Sequence, residues 1–427
     1  MMSDIDAVRK LQVYAGKQLM GQLRDTNGFW SFEYDKAWLA LPNKFAICPD
    51  IPLKEGEYLD SGTTRPVQRF FDNLLPEENA RLLLAKEADV DHEDSFALLT
   101  ESGIESAGAL TLLEEFVEFP TSDATVLSYE QLSDRIKNLP RAPLNSRQGS
   151  RMSLAGAQHK MLIVKLGDDL FEGNEGTPST HILKPDHSEP DRYWQTTRNE
   201  CFMMKLAHQL GMDVPDVDVI YTPEPAYIVE RFDRIGNYPE QERKHIVDAC
   251  QLLGYGRGSK YRASTVETYI KLLKRVRPPA VTSLKLFQWV LFNLLTGNGD
   301  AHLKNISFFY VKGFAQLTPF YDLLSTIIYV PEGIDPLNEK VSVPINNKER
   351  FADVTREDIL AFSQTLGIPN TLASKELHRI ASSIDEEFTN LYLQVEQLPP
   401  CSARPGELRM LRQVQYLVVK EMVKRLL

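Results

Sequence analysis

Gly297-Asn298-Gly299-Asp300-Ala301-His302-Leu303-Lys304-Asn305 leaves the end of a nearly all-apolar segment, Leu284 to Leu295. An apolar run of that length, uninterrupted by turn residues, is expected as a buried helix, and the polar residues after it as a loop. Beyond the loop, Ile306 to Val311 and Phe314 to Phe320 are apolar stretches either side of Lys312-Gly313, which predicts a hairpin. That hairpin would carry the chain back past the loop to Pro319-Phe320-Tyr321-Asp322.

The residue types and their spacing point to phosphoryl transfer. In kinases one loop supplies a base carboxylate for the attacking hydroxyl and, five positions on, an amide oxygen for Mg²⁺. Asp300 and Asn305 have this spacing, and Asp322 is placed to add a carboxylate ligand after the hairpin. Asp and Asn are also ordinary turn and helix-terminus residues, so the loop alone leaves both readings open. Two further positions occur in the order that a kinase needs. Lys184 lies near the end of an apolar strand beginning at His181, and Glu200 stands at the start of the next helix, matching a phosphate-binding lysine and its carboxylate partner. A surface lysine and a glutamate favoured by the helix dipole would look the same.

Two other stretches are less specific. Ser153-Leu154-Ala155-Gly156-Ala157-Gln158-His159-Lys160 precedes the strand Met161 to Val164, where a phosphate-covering loop belongs. With a single glycine it matches neither glycine-rich pattern, and a tight turn of small residues is the alternative. Tyr227 to Arg234 runs from apolar to charged, as a hinge binding adenine between two lobes would, or as a strand end with an ion pair would.

The rest of the chain frames these residues. At 427 residues it exceeds one comfortable core, and 43% hydrophobic with 25% charged residues is the composition of a folded chain. Trp30, Phe32 and Tyr34 alternate as in strands, helices are expected from about Arg69, and the Pro- and Gly-containing segment 136–150 is expected to be a linker. A helix is expected over Asn199 to Gly211, and mostly helix beyond about residue 245 apart from the hairpin. The fold class is therefore α+β and two-lobed, divided as a β-rich and helical part over 1–145, a β-rich nucleotide-binding part over 146–245 and a helical part over 246–427. A formal charge of −11 disfavours direct recognition of nucleic acid. Cys48, Cys201, Cys250 and Cys401 are too scattered for a zinc site or a disulfide framework, and Met1 to Lys10 is polar, so a cytoplasmic, membrane-free protein is expected.

Taken together, the motifs resemble the HipA-like kinases, the toxin halves of bacterial type II toxin–antitoxin pairs. The resemblance rests on RFFDNLLPEE at 69–78, SGIESAGALTLL at 102–113, MSLAGAQHK at 152–160, STHILKPD at 179–186, NECF from 199, VERFDR at 229–234, GDAHLKNIS at 299–307 and LTPFYDLLS at 317–325. It implies a serine/threonine protein kinase using ATP and Mg²⁺. Asp300 would be the base with His302 and Lys304 beside it, and Asn305 and Asp322 the metal ligands. Lys184 would bind ATP phosphates, supported by Glu200. Leu154 to Lys160 would form the phosphate loop, with His159 where an acidic residue is common. Glu230 and Phe232 would hold adenine through their backbone, Asp233 would contact ribose, and Ser153 would be an autophosphorylation site that switches the enzyme off.

The partners implied are a small helix-turn-helix, HipB-like antitoxin that carries the chain to DNA and a protein substrate such as an aminoacyl-tRNA synthetase. A pseudokinase-like binding partner and a phosphotransferase for small molecules are the alternatives. The set Lys184, Asp300, Asn305 and Asp322 speaks against the first, and the lack of a lipid-anchor or basic amphipathic signal speaks against a membrane lipid as substrate.

Overall fold

A computed structural model of the chain describes residues 8–115, 117, 123–139, 141, 144, 158–173 and 177–427. They form two compact units, one of Met1–Leu183, Arg231–Arg257 and Phe308–Ala315, the other of Lys184–Glu230, Gly258–Ser307 and Gln316–Leu427. Helices and sheets are mixed, with the early part of the chain rich in strands. Among the described residues no helix is long and apolar enough to cross a membrane.

In the first unit, Arg9–Ala15, Gln18–Thr26 and Phe29–Tyr34 make an antiparallel meander, flanked by Glu57–Leu59 on one edge and Leu110–Leu113 on the other. The second turn is Asn27-Gly28, both at positive φ (54° and 81°), the backbone that a tight two-residue hairpin requires. Trp30, Phe32 and Tyr34 are buried as their alternation predicts. Trp30 meets Phe96 of the helix Ser95–Ser102 edge-on at 5.2 Å, and Phe32 meets Phe71 of the helix Pro66–Asp72 at 6.0 Å. A second antiparallel set runs Ala124–Val126, Asp169–Gly173, Met161–Leu166, His181–Pro185, in that spatial order. Leu183 pairs with Met161, which places Lys184 just past the paired residues.

The second unit is organised by helices. Thr196–Gln209 packs on the hairpin Val217–Tyr221/Pro225–Glu230 and starts three residues before Asn199, the position expected from its apolar spacing. Pro279–Thr296 is the buried helix foreseen before the polar loop. It ends on Gly297 at φ 71°, where a β-carbon would come within 2.7 Å of both Ile327 and Val418, so only glycine lets the chain turn there. The hairpin Ser307–Val311/Phe314–Leu317, of which Phe308–Ala315 belongs to the first unit, also forms as expected, around Lys312-Gly313.

The mostly helical part beyond that hairpin contains a further one, Lys340–Ile345 paired with Lys348–Arg350. Val341, Val343 and Ile345 are buried on alternate positions, and Asn346-Asn347 turns with both φ positive. The period-two signal of this strand is only six residues long and lies between helices. The chain closes with Asn370–Gln397, Arg404–Val414 and Lys420–Leu426, the last two joined by a π-helical turn at Gln415–Val419.

Candidate active site

The loop after the buried helix is fixed by its own hydrogen bonds before any ligand is considered. Asn298 Nδ2 donates to Asn293 Oδ1 at 2.9 Å, and Asn298 Oδ1 accepts from the Asp300 amide at 3.0 Å. The Gly299 amide donates to Thr326 Oγ1 at 2.7 Å, and the Gly297 carbonyl accepts from the Thr326 amide at 2.9 Å and the Ile327 amide at 3.1 Å. Asn305 sits at the end of a 3₁₀ turn, Leu303–Asn305, and its Nδ2 donates back to the Asp300 carbonyl at 3.1 Å. Donation through Nδ2 assigns the other end of the amide, Oδ1, as the acceptor, which is the atom a metal would use.

The hairpin returns the chain to this loop through one tyrosine. Tyr321 Oη donates to the Lys304 carbonyl at 2.8 Å and lies 2.7 Å from Ser307 Oγ. Asp322 follows directly, at φ 59°, a left-handed conformation that is unfavourable for a residue with a side chain and is held only where its neighbours impose it. Asn298 Nδ2 also reaches the Asp322 carbonyl at 3.4 Å.

Lys184 joins these elements to the helix Thr196–Gln209. Its ammonium donates to Glu200 Oε1 and to Asp322 Oδ1, both at 2.7 Å. Burial would push this lysine down, but the charges of Asp322 and Glu200 outweigh it and hold the ammonium above the ordinary lysine value. The helix start is fixed from the same strand end. Gln195 makes no side-chain cap, and Asp186 Oδ1 instead accepts from the Thr197 amide at 2.8 Å, Thr197 Oγ1 at 3.0 Å and Thr196 Oγ1 at 3.1 Å. The ammonium sits between two carboxylates, and the Asp322 side chain is 32% exposed. Among the described residues no three His, Cys, Asp or Glu side chains gather into a metal site. Asn305 and Asp322 offer two oxygen donors, which suits Mg²⁺, an ion that takes its remaining ligands from phosphates and water.

Comparison with known proteins identifies the architecture. Models of the HipA-like C-terminal domain and of the HipA N-terminal domain match residues 152–388 and 11–113. The chain belongs to the HipA family. It is 34% identical to a putative kinase, Y4mE, of Sinorhizobium fredii, over 93% of this chain and 95% of that one. It is 31% identical to the serine/threonine-protein kinase toxin HipA of Shewanella oneidensis, over 91% of this chain and 90% of the relative. The fold matches HipA in a solved complex of Shewanella oneidensis HipA, HipB and operator DNA with a TM-score of 0.82, at 28% identity and 97% coverage of both chains.

Within this HipA fold the remaining sequence-predicted residues fall in different settings. Ser153, Leu154, Ala155, Gly156 and Ala157 lie outside the described residues, and Gln158, His159 and Lys160 are half-buried just before the strand Met161–Leu166. His302 and Lys304 are buried in the loop. Glu230 is exposed at its strand end, with its amide donating to the Asp216 carbonyl at 2.9 Å, and Phe232 meets Phe309 edge-on at 6.2 Å.

Asp233 is buried. Its Oδ1 accepts from Arg231 Nε at 2.9 Å and its Oδ2 from Arg231 at 2.8 Å and from the Gly108 amide at 2.7 Å, while Arg234 lies at 2.9 Å. Despite burial, the two guanidiniums hold this carboxyl well below the usual range. The ion pair weighed for this strand end is thus present.

One contact has no signal in the sequence. The Tyr261 hydroxyl donates to Asp300 Oδ1, and its ring stands edge-on to His302 at 4.9 Å. Tyr261 lies 39 residues before Asp300 in no recognisable motif, so nothing local marks it.

Proposed function

We propose that this chain is an ATP-dependent serine/threonine protein kinase and the toxin of a toxin–antitoxin pair. The observation that carries the reading is Lys184, held at 2.7 Å by both Glu200 and Asp322, beside a loop that ties Asn305 to Asp300. Lys184 would hold ATP phosphates, with Glu200 fixing its direction, and the Glu230 and Phe232 backbone would take the adenine. Asp300 would accept the proton of the attacking hydroxyl, and His302 and Lys304 would shape the loop around it. Asn305 and Asp322 would hold Mg²⁺, which when bound neutralises charge on the phosphates.

The serine/threonine kinase name of the Shewanella relative and the HipB partner of its solved complex support the finer parts of this proposal. The substrate would be a protein acting in translation, such as an aminoacyl-tRNA synthetase. The partner would be a HipB-like antitoxin through which the chain meets DNA. Ser153 would be an internal substrate, and its phosphate, next to the Leu154 to Lys160 loop, would repel ATP and end activity. The division into 1–145, 146–245 and 246–427 is kept as the organisation that serves this activity.

The test is to incubate purified chain with labelled ATP, Mg²⁺ and a host lysate, and to identify labelled proteins by mass spectrometry. Label on a small set of proteins, lost with Asp300→Asn, is the expected result. No ATP-dependent label on any protein, the chain included, would overturn the reading.

A further inference from the structure

The helix Thr196–Gln209 uses Glu200 to hold Lys184, and the residue before it bonds to Ser325, a short way past Asp322, the other partner of that lysine. Asn199 is fully buried, at 0% exposure. Its Nδ2 donates to the Ser325 carbonyl at 2.8 Å and to Tyr329 Oη at 2.9 Å, while its Oδ1 accepts from the Ser325 amide at 2.9 Å. The side-chain amide therefore satisfies both backbone groups of Ser325, much as a neighbouring strand would. A buried backbone unit needs such partners, and here one side chain supplies them.

Ser325 is the third residue after Asp322, and the stretch between begins at the left-handed backbone of Asp322, φ 59°. A conformation of this kind persists only where flanking contacts impose it. Upstream, Tyr321 is tied to the Lys304 carbonyl. Downstream, Thr326 and Ile327 are tied to Gly297, and Ser325 to Asn199. Of these ties, the Asn199 one comes from the helix that also carries Glu200.

Resting on the kinase reading above, we propose that Asn199 is a positioning residue for the metal ligand Asp322. The helix then sets both sides of the Lys184–Asp322 pair, Glu200 acting on the lysine and Asn199 on the backbone that aims the carboxylate. Side chains that orient a ligand without touching the metal typically govern metal affinity or activity by roughly 10- to 100-fold. A residue serving only the fold would change the melting temperature and leave the metal requirement alone.

The experiment uses the full chain as wild type, Asn199→Ala, Asn199→Asp and Tyr329→Phe. Calorimetry measures ATP affinity with and without Mg²⁺, alongside melting temperature and transfer rate. Both Asn199 variants should lose roughly 10- to 100-fold of the Mg²⁺-dependent gain in ATP affinity, with Mg²⁺-free binding little changed. Tyr329→Phe should match wild type, because the Asn199–Ser325 pairing remains. Asn199→Asp keeps the acceptor for the Ser325 amide and loses both donations, so it decides the matter if the alanine variant does not fold. A folded Asn199→Asp with wild-type Mg²⁺ dependence overturns the proposal. So does a Tyr329→Phe as impaired as Asn199→Ala, which would trace the effect to aromatic packing, and so does failure of both Asn199 variants to fold. A wild type without Mg²⁺-dependent ATP binding would instead sink the kinase reading itself.

Discussion

The Lys184–Glu200–Asp322 triad and the Glu105–Arg231–Asp233–Arg234–Arg243 cluster are both built from ion pairs, at 2.7 Å in the first and up to 3.3 Å in the second. They differ in charge and in access. The cluster sets three guanidiniums against two carboxylates, all buried or nearly so, and its excess positive charge is met by backbone carbonyls. Arg243 donates to the carbonyls of Gly108 at 3.1 Å and Leu110 at 2.8 Å, and to Thr111 Oγ1 at 2.7 Å. The triad sets one ammonium against two carboxylates, and the Asp322 side chain is 32% exposed where that of Asp233 is 5%. Buried ion pairs hold segments of the folded chain together, whereas a partly exposed carboxylate can be reached by a ligand.

Asp233→Ala tests this contrast most severely. It would leave Arg231 and Arg234 buried without their shared carboxylate, and breaking a buried pair of this kind costs about 3–5 kcal/mol. Urea unfolding should show a loss on that scale, with ATP affinity of the surviving folded fraction little changed. A stable Asp233→Ala protein that has lost ATP binding would break the comparison and return Asp233 to the nucleotide site.

Asp300→Asn should do the reverse. Asp300 is half-buried on its loop, and Asn keeps its size and an acceptor oxygen, so the urea midpoint should stay near wild type, while phosphoryl transfer falls on the order of 10²-fold or more. ATP affinity should remain within a few-fold, because a base acts on the hydroxyl and not on the bound nucleotide. Normal turnover by the purified variant would remove Asp300 from that role.

The two proposed metal ligands sharpen the triad's side of the contrast. Asp322→Ala deletes an anionic oxygen and one partner of Lys184, so Mg²⁺ should no longer tighten ATP binding. Asn305→Ala deletes a neutral oxygen and should weaken the same dependence less. Identical Mg²⁺ dependence in wild type and both variants, measured by calorimetry, would count against the assignment.

What the sequence shows of these two regions follows from how local each signal is. The buried helix, its glycine end, the Asp300–Asn305 interval and the hairpin back to Asp322 are short-range features, and each is visible in residue order. The Lys184–Glu200 pair spans 16 residues and is legible because a strand followed by a helix fixes its order. Contacts such as Tyr321 to Lys304 or Tyr261 to Asp300 depend on how the loops come together, and their residue types carry no period or spacing. The cluster is the instructive intermediate. SGIESAGALTLL and VERFDR are both conspicuous as motifs, but only the structure shows that Glu105 of the first and Arg231 of the second meet at 3.1 Å.

The smallest expected effect concerns pH, and it belongs to the unit that holds the cluster. His245 is fully buried, stacked on Phe45 at 4.7 Å and facing Tyr310, with Nε2 against the Ile47 carbonyl at 2.7 Å. Burial pushes this imidazole down to about 4, and the Ile47 contact offsets only part of it. Between its ordinary value of 6.5 and about 4 the unfolded chain binds a proton that the folded chain refuses. Stability should therefore fall as pH drops through that window, by about 1.4 kcal/mol per pH unit at most from this residue, and not fall further on its account below it. His181, lowered to about 4 by burial and by the charge of Lys165, shifts in the same sense. Lys184 in the other unit is shifted the opposite way, so its ammonium stays charged throughout this range. His245→Gln keeps a donor for the Ile47 carbonyl and removes the titration, so it should flatten part of the decline between pH 6.5 and 4 and leave the parts due to His181 and His187. Urea midpoints at several pH values across the window check this, and an unchanged slope in His245→Gln would show that the acid sensitivity of the fold arises elsewhere.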